Sequence, residues 1–565
     1  MKKYLLPIIL LTVLIILAGC GQVEQEKIFR NGVVVASEKY AAETGLEILK
    51  NDGNAFDAAV ATALALQVTY PKAGNIGGGG FAVVYHAESQ EVYFLDFREK
   101  APQNINPDFC LTDSGTVDRD KLLYGPTAAG VPGTVAGLSE LHRSFGSLPW
   151  ANIVQPARML ADTGIIMTDQ LHQSLAEYED VLRQFTATAV CYFPNGTLTE
   201  AGHKFYQKDL ARTLAAIEND GADGFYKGPI AEKIAAYCNT AGGFVTLEDL
   251  ANYLPQWRQP VNFKFRDLTV YSAGLSSSGG IVMGQILKML DFYELERYTS
   301  GAAEYIHLFT EAARRAYADR SEYLGDPDFT PNRTSQLLDQ PYIDSRVQSI
   351  DMRHATSSSE ILPGMPKGKE ESESTTHLVV CDKFGNIVSL TYTINLSYGC
   401  RAVVPGTGFL LNNEMDDFAA APGATNAFGL SGGEANRIEG GKRMLSSMTP
   451  TIVFRGDQPY LALGSPGGSK IITAVTQTII NKRVYNMNLT EAISAPRFHH
   501  QWRPDILYVE ENGFDPDIIK SLTAMGHTVE ARPPYCEVMA VEFSPDGLFM
   551  TGVPDPREDG FVAGY

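Results

Sequence analysis

The sequence has 565 residues, 44% of them hydrophobic, and a formal net charge of -20. That length supplies a large core. The negative balance excludes a non-specific hold on nucleic acid or anionic lipid, because such binding draws its energy from lysine and arginine.

The chain opens MKKYLLPIILLTVLIILAGCGQ, with two lysines, an apolar run from Tyr4 to Leu17, and then Leu17-Ala18-Gly19-Cys20. The run falls short of the roughly 20 apolar residues of a transmembrane helix and ends in small residues. Residues 1–19 therefore read as a secretory signal peptide. Leu-Ala-Gly-Cys is similar to the bacterial lipoprotein signal, which makes Cys20 the expected lipid anchor; the bland alternative is a signal peptide with a cysteine by chance. No later run approaches membrane length, so the expected product is an extracytoplasmic body attached to a membrane through that anchor alone. Six further cysteines, Cys110, Cys191, Cys238, Cys381, Cys400 and Cys536, show no CxxC spacing and so indicate no zinc site, while leaving room for one or two disulfides. Cys381 reads as a buried hydrophobe.

From Val33 to Tyr70 the pattern is helical, an amphipathic segment followed by an alanine-rich, fully buried helix. FAVVYHAESQEVYFLDFREK reads as a hairpin turning at Ala87-Glu88-Ser89-Gln90, with Arg98 just past its second strand. Residues 130–330 are dominated by helical periodicity. Between Thr356 and Ser374 serine, charge and proline replace apolar residues, as in a linker. After Thr375 the chain is β-rich: THLVVCD, NIVSLTYT, GFLLNNEM and PTIVFRGDQPYLALGSPGG. Antiparallel strands with segregated helices predict an α+β layered body.

Three features can carry chemistry. A polar linker that ends on Thr375, with a strand beginning at once, is what a chain cut there would need. The new α-amine, with a pKa of about 7.7 to 8.0, would then sit beside a hydroxyl as base beside nucleophile. Threonines also simply begin β-strands. In LALGSPGGSKIITAV, a strand ending at Leu463, a turn over Gly464 to Gly468 and a helix capped by Ser469 would aim backbone N–H groups at an anion or oxyanion. A phosphate loop is the rival there, but its spacing is missing. Finally Arg98, Asn412, Asn413, Glu414, Asp416, Asp417, Ser446 and Ser447 are groups fit for an amino-acid head, though each alone reads as surface or capping. Gly77 to Gly80 serves close backbone packing, and the adjacent His499 and His500 point to opposite faces and suit packing better than a metal.

TTHLVV, TYTIN, LLNNEMDDF, KRMLSSMTPTIV and GSPGGS, with LDFRE, DRSEYLGDPDF and APRFHHQW, in this order from about Gly32 to Tyr565, resemble the γ-glutamyltranspeptidase family. The resemblance implies a four-layer αββα sandwich of the N-terminal-nucleophile hydrolase type. It implies self-cleavage between Ser374 and Thr375, giving a large subunit, 20–374, and a small one, 375–565. Thr375 would be the nucleophile, oriented by Thr393, with the N–H groups of Gly467 and Gly468 as oxyanion hole. Arg98, Ser446 and Ser447 would hold the substrate α-carboxylate, and Asn395, Glu414 and Asp417 its ammonium. Substrates would be glutathione and other γ-glutamyl amides, acceptors water, amino acids or dipeptides, and no metal or organic cofactor is implied. Pro422 to Gly433 resembles the family's lid, with Phe428 where some bacterial members have tyrosine. The rival readings are a cephalosporin acylase, a poly-γ-glutamate-processing relative, and a surface lipoprotein that binds amino acids without catalysis.

Overall fold

The computed structural model describes residues 26–361, 375–421, 425–430 and 432–565. At its centre is the strand Thr375–Asp382, all eight residues of which are buried. It belongs to a seven-stranded antiparallel sheet in the order Phe561–Gly564, Gly32–Ala36, Thr375–Asp382, Ile387–Thr393, Gly79–His86, Glu91–Phe97 and Gln256–Arg258. Because side chains alternate along a strand, Leu378 and Val380 join Val34, Ala36, Ala82 and Val84 against the helices Lys39–Lys50 and Ala55–Thr69. Val379 and Cys381 point the other way, with Val33, Val35, Phe81 and Val83, onto a second sheet.

That second sheet runs Ile28–Phe29, Met550–Val553, Met539–Phe543, Gln458–Gly464, Thr451–Arg455, Leu268–Ser272 and Val261–Phe265. The helices Gly279–Leu290, Ala303–Tyr323 and Lys470–Arg483 cover its outer face. The result is the expected αββα sandwich. Every residue of the alanine-rich helix Ala55–Thr69 is buried, and Asn54 starts it with a reciprocal capping box to Asp57.

Four expectations need correction. Gly32–Ala36 is a strand and the helix begins only at Lys39, since a run of valines favours extended backbone. Within the helical bulk, Val261–Phe265 and Leu268–Ser272 form a hairpin, and their burial alternates with the period of two that marks a strand. GFLLNNEM is not a strand: Leu410 makes one isolated bridge and Glu414–Asp417 is a 3-10 turn. There the Asn412 side chain takes over the backbone pairing, accepting from Gly130 N and Glu414 N and donating to Gly77 O and Gly130 O. No disulfide joins any two of the six cysteines from Cys110 to Cys536 among the described residues. Among those residues no helix is long and apolar enough to cross a membrane.

Candidate active site

Thr375 is the first residue of the central strand and pairs across it with Thr393, the last residue of the next strand. The two hydroxyls approach to 3.4 Å. Thr393 Oγ1 also accepts from Asn395 N at 2.7 Å, where the chain leaves the sheet through a left-handed Asn395, φ 73. The side chain of Asn395 donates to Asn413 O at 2.9 Å. Strand alternation separates the two threonines of the motif. Thr376 faces the helical layer, with its hydroxyl 2.9 Å from that of Ser37, whereas Thr375 lines two cavities.

The glycine turn lies beside Thr375. The strand Gln458–Gly464 leads into it and the helix Lys470–Arg483 leaves it. Gly467 and Gly468 have φ of 131 and 54, values that L side chains resist, and a Cβ on Gly468 would come within 2.4 Å of the Phe428 ring. Among the described residues neither glycine donates its N–H to another group, so both donors remain available beside the nucleophile. The expected Ser469 cap is corrected. Its hydroxyl donates to Gln501 Oε1 at 2.5 Å and makes no cap hydrogen bond, while Gln501 Nε2 holds Phe428 O at 2.9 Å.

On the other side of Thr375 lies a narrow cavity of about 20 Å³, walled by Arg98, Asn395, Glu414, Asp417, Ser446, Ser447 and Gly468 together with Thr393. Of the residues that the sequence grouped for an amino-acid head, Arg98, Glu414, Asp417, Ser446 and Ser447 come together there, whereas Asn412, Asn413 and Asp416 do not line the recess. Arg98 is already committed there: its guanidinium lies 2.7 Å from Glu414, 2.5 Å from Asp417 and 3.4 Å from Glu99. Among the described residues the Glu414 side chain has Arg98 as its one polar partner. Burial pushes the Glu99 carboxyl up to about 8 and Glu414 well above the usual carboxylate range, and raises Asp417 as well; Arg98 opposes the rise in all three. The free volume suits about one water. An α-amino-acid head must therefore enter by exchanging with the contacts between Arg98 and its carboxylates.

The second cavity, about 520 Å³, also reaches Thr375 and Gly467. Lys470 and Arg532 lie on its wall, as do Lys72, Glu537 and Glu558. The nucleophile candidate thus stands between a small, charged recess and a larger, more open one.

Other residues fall elsewhere. Asp416 turns from the recess to pair with Arg119 at 2.9 Å. His499 and His500 are buried, His499 between Thr473 and Gln501 and His500 against Asp505, as packing groups. Cys20 and Ser374 lie outside the described residues. Three neighbours of the recess carried no role in the sequence reading: Asn426, whose side chain donates to Asp417 Oδ1 at 2.7 Å, Gln501 behind Phe428, and Arg320. Arg320 was visible only as part of DRSEYLGDPDF, on a helix whose periodicity marks it as buried.

Two stacked antiparallel sheets between helical layers, with a threonine at the end of the central strand and unused N–H donors beside it, define an N-terminal-nucleophile hydrolase. The γ-glutamyltranspeptidase profile matches residues 41–565. The chain is 44% identical over 538 residues to the glutathione hydrolase proenzyme of Escherichia coli K12, covering 95% of this chain and 92% of that protein. Among solved structures, cephalosporin acylase from Bacillus halodurans superposes with a TM-score of 0.86 at 27% identity, covering 96% of this chain and 98% of that one. Helicobacter pylori γ-glutamyltranspeptidase gives a TM-score of 0.58 at 38% identity, covering 61% of this chain and 97% of that one. The chain belongs to the γ-glutamyltranspeptidase family.

Proposed function

We propose that the protein is a self-processing threonine-nucleophile enzyme that cleaves the γ-glutamyl amide bond of glutathione and related compounds and passes the γ-glutamyl group to water, amino acids or dipeptides. The observation that carries this reading is the place of Thr375, first in the central strand, where it borders both the charged recess and the larger cavity. In maturation Thr375 Oγ1 attacks the carbonyl carbon of Ser374, the peptide nitrogen leaves to become the α-amine, and water opens the ester. The pieces are then 20–374 and 375–565.

In turnover the α-amine takes the hydroxyl proton and Oγ1 attacks the γ-carbonyl. Thr393 orients that hydroxyl. The N–H groups of Gly467 and Gly468 receive the developing oxyanion, where each donor is worth about 2.7 to 4 kcal/mol in such sites. Arg98, Ser446 and Ser447 take the α-carboxylate; Asn395, Glu414 and Asp417 take the ammonium. The leaving amine departs through the larger cavity with the proton, and the acyl ester then passes to water or to an acceptor amine. The likeness to a cephalosporin acylase supports a second reading, but the two carboxyl groups that line the recess, Glu414 and Asp417, favour a substrate with a free α-amine.

Thr375→Ala should remain one uncut chain without γ-glutamyl hydrolysis. The parent should give two bands on a denaturing gel, the smaller starting Thr-Thr-His-Leu by N-terminal sequencing. A cut and active alanine variant would remove Thr375 from the mechanism. We further place the mature protein at an extracytoplasmic membrane face through acylated Cys20, on the strength of Leu17-Ala18-Gly19-Cys20; mass spectrometry finding no acyl chain on that cysteine would reject the anchor.

A further inference from the structure

We propose that Arg320 is a positioning residue of the charged recess: it holds the hydroxyl of Ser447 as a donor toward an α-carboxylate and supplies the recess with a cation that no carboxylate contacts. The inference rests on the substrate reading above and adds to it a residue with a distinct, separable task.

Arg320 is 4% exposed, near the end of the helix Ala303–Tyr323, and lines the recess. Its Nη2 donates to Ser447 Oγ at 3.2 Å and its Nε to Ser278 Oγ at 2.9 Å. A guanidinium only donates, whereas a hydroxyl has one proton to give and two acceptor sites. The Ser447 proton therefore cannot point at Arg320 and is left for the recess that Ser447 lines. Ser446 is prepared in the same sense, since its hydroxyl accepts from Met448 N at 3.1 Å. Its carbonyl is fixed by Ser278, whose N–H and hydroxyl donate to it at 2.9 and 2.7 Å. Arg320 thus reaches both serines, one directly and one through Ser278.

The charges point the same way. Arg98 is met by Glu99, Glu414 and Asp417. Among the described residues no carboxylate comes within ion-pair distance of Arg320, whose two side-chain partners are serine hydroxyls. Burial pushes its guanidinium down to about 10, against the pull of Tyr317 and of the more distant Asp417 and with a further push from Arg98, and leaves it cationic at neutral pH. An unpaired buried cation is costly, and an entering carboxylate beside Ser447 relieves that cost.

The test uses full-length processed protein and two γ-glutamyl anilides, one with the α-carboxylate and one with an α-carboxamide. Arg320→Met should still cut itself, lose about tenfold to hundredfold in kcat/KM on the acid and change little on the amide. Ser447→Ala should cost the parent more than it costs Arg320→Met, because the hydroxyl is no longer aimed once the guanidinium is gone. Arg320→Lys keeps charge without the fork and should retain part of the acid preference while losing the coupling to Ser447. Equal losses on acid and amide, or additive Arg320 and Ser447 effects, would overturn the proposal. So would two uncut variants, which would assign Arg320 to folding. A parent that neither cuts itself nor prefers the acid would instead refute the underlying substrate reading.

Discussion

Arg98 brings one positive charge into a buried ring of three carboxyl groups, Glu99, Glu414 and Asp417. Burial raises each of them, Glu99 from a usual 4.5 to about 8, and the guanidinium limits the rise. A raised folded value means that the native ring binds more protons than the unfolded chain between the usual and the folded pKa. Its contribution to stability is therefore greatest below about 4.5 and is lost as pH rises through that window. Without Arg98 the ring must hold protons more firmly still, so the penalty for its loss grows with pH. Arg98→Met should cost about 3 to 5 kcal/mol at pH 9, above the Glu99 value of about 8, and distinctly less at pH 6. Urea unfolding of parent and variant at both values measures this; equal costs would mean that the carboxyls are not ionised against the guanidinium. A fall in activity on removing Arg98 accordingly reports the disturbed ring as well as any lost substrate contact, and only the acid-against-amide comparison separates them.

The central strand is placed by what lies beside it. Thr393 faces Thr375 on one side and Gly79 on the other, and Gly78 is close enough that a Cβ there would come within 1.9 Å of Thr393 O and 2.6 Å of Asn75 Oδ1. Gly78→Ala must push the end of the Thr393 strand outward, and such overpacking costs about 1 to 3 kcal/mol. The expected result is slow cutting at Thr375 in a protein that still folds, followed as a time course on a denaturing gel; cutting at the parent rate would show that the strand end absorbs the shift without moving Thr393. The tight glycine run was legible in the sequence, as were the 79–97 hairpin, the buried alanine helix and the abrupt start at Thr375, because period and composition state them directly. Val261–Phe265 and Leu268–Ser272 were equally written, in their alternation, but were submerged in a long helical stretch. Asn412 replaced strand pairing with side-chain hydrogen bonds, which no periodicity displays. The recess was legible residue by residue but not in its wiring. That Arg98 is occupied by three carboxylates, and that Arg320 is not, depends on segments hundreds of residues apart meeting in space.

Residues on either side of Thr375 interleave in both sheets. In the first, Phe561–Gly564, Thr375–Asp382 and Ile387–Thr393 alternate with or adjoin Gly32–Ala36 and Gly79–His86. In the second, Met550–Val553 pairs with Ile28–Phe29, and Thr451–Arg455 with Leu268–Ser272. A cut before Thr375 therefore breaks one peptide bond and no ladder. Separating the pieces would unzip strands in both sheets and expose both faces of the strand Thr375–Asp382, whose residues are all buried. Apolar burial is worth about 25 cal/mol per Å², and the core clusters on both faces of that strand mix residues from the two pieces. The cut protein should thus behave as one body, more like a single domain than like two docked subunits. In size-exclusion chromatography it should elute at the volume of the uncut Thr375→Ala chain, and its two pieces should part only in denaturant, in the same transition that removes secondary structure. If either piece elutes alone under native conditions, the interleaving does not hold the halves together, and loss of one piece, not a mere change at Thr375, would limit the life of the active enzyme.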